Sequence, residues 1–310
     1  MRTSLDSKAV IGMLMLCFVW ALQPIVLKAT TADIAPILQL GLRSGGAALL
    51  VAALMRWRGE GFDVRDGTLR AGLFVGLLFG LEFLLVGEGL RHTSASHMVV
   101  FLYTAPIFAA LGLHLRLPAE RLSPLQWLGI ALAFSGITFA FLGDEPADAA
   151  FASGRMWGDF LGLLGGLAWG ATTVIVRCSR LSSAPATQTL LYQLLGAFVL
   201  LSGVALASGQ TRFNPTPQVW ASLLFQTLVV SFASFLLWFG LLRQYLASRL
   251  GAFSFLTPLL GVALGGILLG ERIEMRFALA AVPVLLGIVL VSAHGLLQTA
   301  WRRMVRRQPP

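Results

Sequence analysis

Apolar residues in this chain come in long runs separated by short polar stretches. Ten runs stand out, at 9–27, 34–55, 71–87, 94–115, 125–142, 156–176, 187–207, 219–242, 246–269 and 277–297. Each is about 20 residues, which as a helix crosses about 30 Å of hydrocarbon. The connections, such as 56–70, 116–124, 143–155 and 208–217, are polar and too short to form a soluble domain. The pattern predicts an all-α membrane protein of ten transmembrane helices. The first run follows Arg2 and Lys8, as a secretory signal would. No small-residue cleavage site comes after it and nine more runs do, so it reads as an uncleaved first helix.

Composition agrees with the pattern. Of the 310 residues, 57% are hydrophobic and 12% charged, and the mean hydropathy is +0.80. Soluble domains hold about 25% charged residues, so an ordinary cytosolic enzyme and a disordered chain are both excluded. Two cysteines, Cys17 and Cys178, lie in or beside apolar runs and are too distant in sequence to suggest a disulfide framework or a metal cluster.

The net charge of +9 comes almost wholly from arginine in the connections. With the N-terminus placed inside, sixteen Lys and Arg residues fall on the inner side and six on the outer, Arg43 lying within a span. This bias predicts both termini in the cytoplasm and an even helix number. Connection 143–155, with Asp144, Glu145 and Asp148, falls outside.

The two halves repeat. Trp20 with Lys28 recurs as Trp169 with Arg177, and the stretch Gly89 to His97 recurs as Leu241 to Arg249. Pro106 matches Pro258, Glu120-Arg121 matches Glu271-Arg272, and Gly136-Ile137 matches Gly287-Ile288, at offsets of 149 to 152. Residues 1–148 form the first repeat, 149–300 the second, and 301–310 a basic cytoplasmic tail. Five helices per repeat turn the second half over, and inverted repeats are characteristic of secondary transporters, with the site at the repeat interface.

On these residues the chain resembles the EamA-like branch of the drug/metabolite transporter superfamily. The matching positions are Trp20 with Lys28, Arg43, Leu90-Arg91-His92-Thr93-Ser94-Ala95, Pro106, Trp169-Gly170, Pro258, and Leu269-Gly270-Glu271-Arg272. The Trp-Gly pair is intact only in the second half; the first reads Trp20-Ala21. The resemblance implies a carrier of the bacterial cytoplasmic (inner) membrane, often an exporter of amino acids or other small metabolites.

Ionisable groups within a span are costly and face the bundle or a wet cavity. Arg43 and Glu82 both fall near mid-span, where they hold the two ends of a zwitterion, exchange a proton at Glu82, or pair with each other. Glu88 and His97 lie nearer a helix end, at an outer gate or in a solvated vestibule. Trp20, Gln23, Tyr103, Trp169, Ser231, Trp238 and Ser254 suggest an aromatic box with a few polar groups, suited to a small amphipathic or aromatic solute; a packed aromatic core is the competing reading. Pro106 and Pro258 are paired kinks and candidate hinges, freeing the carbonyls of Leu102 and Ser254. Glycines at four-residue spacing (72, 76, 80; 158, 162, 166, 170; 261, 265) mark close helix packing.

No phosphate-binding loop, metal-binding helix or nucleophile elbow is present in the sequence, and no cofactor is expected. The expectation is a secondary transporter, not an enzyme, working by alternating access on a small-molecule substrate, with protons as a candidate coupling ion. A passive facilitator, a membrane-embedded enzyme and a non-transporting scaffold are the alternatives.

Overall fold

The computed structural model describes residues 6–61, 66–93, 95–141 and 149–269, with isolated helical positions between 279 and 290. Among these residues the chain is helical apart from one isolated bridge, between Ile34 and Phe213. In order come α1 (Ser7–Ala29), α2 (Pro36–Trp57), α3 (Leu69–Gly89), α4 (Ala95–Leu102), α5 (Ala105–Arg116), α6 (Pro124–Phe141), α7 (Ala149–Cys178) and α8 (Ala186–Ala207). Then α9 (Pro217–Leu224) runs through a π-helical stretch (Phe225–Ser234) into α10 (Phe235–Gln244), and α11 (Ala247–Ser254) and α12 (Leu256–Leu269) follow.

Among the described residues six helices are long and apolar enough to cross a membrane: α1, α2, α3, α7 from Gly154, α8, and the continuous rod Pro217–Gln244. The fourth and ninth expected spans are each divided in two, at Tyr103-Thr104 and at Phe255. The tenth, 277–297, lies largely outside the described residues, as do 143–148, Glu271-Arg272 and the tail 301–310.

Local chemistry sets the boundaries. The Asp6 carboxylate caps α1, accepting from the Ala9 N–H at 2.9 Å and from the Tyr245 hydroxyl at 2.8 Å. Those two bonds hold it below the usual carboxylate range. Pro36 opens α2 and Pro217 opens α9, where a missing N–H costs nothing. Pro106 and Pro258 do not sit at bends within single helices. Each stands in the first turn of a second helix, α5 and α12, just after a short turn at Tyr103-Thr104 or at Phe255.

Helices of residues 6–141 pack chiefly on helices of 149–269. α3 lies against α7 and α8, α2 against α8, α5 against α7 and α11, and α1 against α12. Glycine makes the closest crossings possible. A Cβ at Gly76 would stand 2.6 Å from the Tyr192 carbonyl oxygen, and one at Gly196 would enter the Gly76 backbone. Along α7, Gly166 meets the Phe101 and Leu102 carbonyls, each 2.9 Å from where its Cβ would be, and Gly170 meets that of Ala105 at 3.0 Å. The α4–α5 break is thus seated on this glycine ridge. On α12, a Cβ at Gly261 would meet nothing within 4 Å among the described residues, and the side-chain position of Gly265 lies outside them.

Candidate functional site

Where α1, α3, α4, α7, α8 and α10 converge, their side chains line a cavity of about 60 Å³. That is below the usual size of a small-molecule site, so a bound solute requires the walls to move apart. Its centre is aromatic. The Trp20 ring meets Trp169 and Trp238 edge-on at 5.8 and 5.4 Å, and Tyr103 meets Trp169 edge-on at 5.2 Å. Trp20 is 5% exposed and Tyr103 4%, so both rings are buried. The Trp20 indole N–H donates to Ser234 Oγ at 3.0 Å, which fixes the ring.

Of the residues expected at a site, Trp20, Gln23, Glu82, Tyr103, Trp169 and Trp238 line this cavity. Glu82 is 4% exposed, and its Oε2 has no hydrogen-bond partner. Arg43 is withdrawn from the cavity. Its Nη1 donates to Gln226 Oε1 at 2.6 Å and its guanidinium lies 4.3 Å from the centre of the Phe83 ring. Arg43 and Glu82 form no ion pair within 4 Å. Gln226 passes the connection on, donating to the Gln23 backbone carbonyl at 2.9 Å.

Ser231 and Ser254 are fully buried but do not line the cavity. Ser254 donates to the Gly251 carbonyl at 2.6 Å, as a serine inside a helix often does. Ser231, Ser234 and Trp238 share a stripe only on an α-helix. The π-helical winding of Phe225–Ser234 breaks that stripe and leaves Trp238 alone of the three on the cavity. Glu88 lies at the surface, paired with Arg91 at 2.8 Å and His92 at 3.2 Å. The side chain of His97 is outside the described residues.

Sequence reasoning did not single out Gln193, Thr172, Thr173, Phe79 or Phe235, all of which line the cavity. Gln193 is the informative omission. It is 1% exposed, and neither its amide nitrogen nor its amide oxygen has a partner. Its signal was a single long polar side chain deep within an apolar run.

Comparison with known proteins places this geometry. The model of the EamA-like transporter family matches residues 7–142 and again 156–293. The uncharacterized transporter YoaV of Bacillus subtilis is 24% identical over 91% of this chain and 96% of its own. An uncharacterized inner membrane transporter of Escherichia coli K12, YedA, is 25% identical over 89% and 88%. A probable amino-acid metabolite efflux pump of Salmonella typhimurium is also 25% identical, over 89% and 92%. One crystal structure superposes with a TM-score of 0.77, covering 96% of this chain and 99% of the other at 18% identity, a likeness of fold alone.

Proposed function

The chain belongs to the EamA-like transporter family, and from that premise we propose that it is a secondary transporter, not an enzyme, exporting a small amphipathic or aromatic metabolite by alternating access. The aromatic walls suit the ring or apolar part of such a solute. The observation that carries this reading is the cavity itself: deep in the bundle, lined by tryptophans, and holding a carboxylate with an unpartnered oxygen. Protons are the proposed coupling ion and the bacterial inner membrane the proposed location. The name of the Escherichia coli relative supports that location.

The proposed architecture is ten spans in two inverted repeats, 1–148 and 149–300, with the termini and the tail 301–310 cytoplasmic. The double match of one family model supports the duplication. So does a pair of equivalent bonds at the two ends of the bundle. Lys28 Nζ donates to the Leu90 carbonyl at 2.7 Å, and Arg177 Nη1 to the Leu242 carbonyl at 3.0 Å. These residues correspond in the repeat, and the antiparallel packing of α3 on α7 sets the two bonds at opposite ends. The helix breaks at Tyr103 and Phe255 correspond likewise, and with Pro106 and Pro258 they are the proposed hinges.

The orientation is tested by single cysteines in a background without Cys17 and Cys178. Sites in 143–155 are expected to react with an impermeant reagent from outside, and both termini only after permeabilisation. Labelling of that connection from the cytoplasm alone would refute the inversion.

The site is tested in proteoliposomes loaded with a metabolite panel, with and without a pH gradient. Transported compounds are expected to quench tryptophan emission. Trp20→Ala and Trp169→Ala are each expected to weaken transport about tenfold, the scale of one lost aromatic contact. Normal transport by both variants at normal expression would return these rings to a packed core.

A further inference from the structure

The cavity has two polar poles rather than one. The first is Glu82 on α3. The second is Gln193 on α8 with Thr172 on α7, both nearly fully buried, with the Gln193 amide and the Thr172 hydroxyl all lacking partners. A buried amide left unpaired costs about 1–3 kcal/mol, so atoms of this kind facing a cavity point to a ligand that satisfies them.

Helix register gives the spacing of the poles. A Cβ at Gly76 would meet the Tyr192 oxygen and one at Gly80 the Ala197 Cα, so α3 and α8 run parallel. Glu82 is then level with about residue 199 of α8, and Gln193 lies about 9 Å back along the axis. On the antiparallel α7, a Cβ at Gly165 would lie 3.7 Å from the Glu82 carbonyl oxygen. Thr172, seven residues further on, lies about 10 Å away in the same direction. Gln193 and Thr172 therefore share one level. Trp169 stands between that level and Glu82, and its ring contacts bring Trp20 and Tyr103 around it.

Charge is as informative as spacing. Glu82 is the sole charged residue among the described residues that line the cavity. The nearby cation, Arg43, does not line the cavity; its Nη1 donates to Gln226, its guanidinium lies over the Phe83 ring, and its Nε has no partner. A carboxylate on the substrate would meet no cation here and would face Glu82 in a poorly hydrated space. An amine would gain a charge-assisted bond at Glu82 and the faces of the surrounding rings.

On the reading of this cavity as the substrate site, we propose that it selects an aromatic monoamine carrying a neutral hydrogen-bonding group at its far end. Glu82 holds the amine, the tryptophans hold the ring, and Gln193 with Thr172 holds the distal group. Amino acids and aromatic acids are excluded by their carboxylate.

Calorimetric titration of the purified full-length protein with four probes tests this: tyramine, phenethylamine, L-tyrosine and 4-hydroxyphenylacetate. Tyramine is expected to bind about tenfold more tightly than phenethylamine, the value of one well-made buried hydrogen bond. The two carboxylates are expected to bind at least about 100-fold more weakly than tyramine. Gln193→Leu is expected to erase the advantage of tyramine over phenethylamine, and Glu82→Gln to weaken both amines. If Gln193→Leu does not fold, the nearly isosteric Thr172→Val reports the same ratio and is expected to lower it several-fold. L-Tyrosine binding as tightly as tyramine, an unchanged tyramine-to-phenethylamine ratio in the folded variants, or binding of none of the four probes would overturn the assignment. Amine binding without movement across proteoliposomes would instead overturn the transport reading and leave this assignment standing. Transport of an amino acid without amine binding would do the reverse.

Discussion

Glu120→Ala is expected to destabilise the protein by about 3–5 kcal/mol, because it strands a buried arginine. The side chains of Arg177 and Glu120 are 2% and 1% exposed and form an ion pair. The pair ties four elements together. Arg177 is in the last turn of α7 and also donates to the Leu242 carbonyl, near the end of α10. Glu120 ends the short 3₁₀ turn after α5 and accepts from the Ala247 N–H, at the start of α11, at 3.1 Å. Both charges are well placed against helix dipoles, the cation at a C-terminus and the anion at an N-terminus. The large effect comes from leaving one charge buried without its partner; the net worth of the intact pair is much smaller. Arg177→Ala is expected to cost less than Glu120→Ala, because Glu120 keeps the Ala247 N–H and the nearby charge of Arg249. The double variant Glu120→Gln with Arg177→Met is expected to cost markedly less than the sum of the singles. Thermal unfolding in detergent, followed by size-exclusion fluorescence, gives the comparison. Additive losses would show that the two side chains act separately.

Several features of the structure were legible in the sequence because they depend on local pattern. Span length and hydropathy locate the crossing helices. Glycine spacing locates the close approaches of α3 and α7, since a four-residue interval keeps one helix face. Trp20 and Trp169 stood out as large side chains at matching places in two repeats, and both line the cavity. Other features depend on which way a helix face turns, which a single sequence does not carry. Ser231 and Trp238 separate because a π-helical stretch winds differently from the α-helix assumed. Ser254 satisfies itself on its own helix. Arg43 and Glu82 lie close in depth, and the sequence left open whether they pair; in the structure a buried glutamine, Gln226, accepts from the guanidinium. Gln193 looked like any polar residue in an apolar run, and only the packing of α8 beside α3 and α7 gives its unpartnered amide a meaning.

Glu82→Gln is expected to abolish accumulation driven by a pH gradient, while exchange of substrate for substrate persists at saturating concentration. A carrier with no nucleotide site draws uphill work from an ion or solute gradient, and the cavity offers one group able to carry a proton through the cycle. Glu82 lines the cavity, has no ion pair within 4 Å and has an unpartnered oxygen. The charged and titratable side chains nearest it are Arg43, bonded to Gln226, and Tyr103, across the aromatic centre. A carboxyl so placed is free to exchange its proton for the solvent or for a substrate amine as access alternates. Glutamine keeps the shape and removes the exchange. Arg43 keeps its hydrogen bond to Gln226 but loses the opposite charge nearest it, so the melting temperature is expected to fall only modestly. A structural ion pair predicts the opposite on both measurements: a clear loss of stability, with coupling intact in the protein that survives. Glu82→Asp, which keeps the exchangeable proton on a shorter arm, is expected to retain coupled accumulation at a reduced rate. Full pH-driven accumulation by well-folded Glu82→Gln would remove this carboxyl from coupling and leave it a binding group alone.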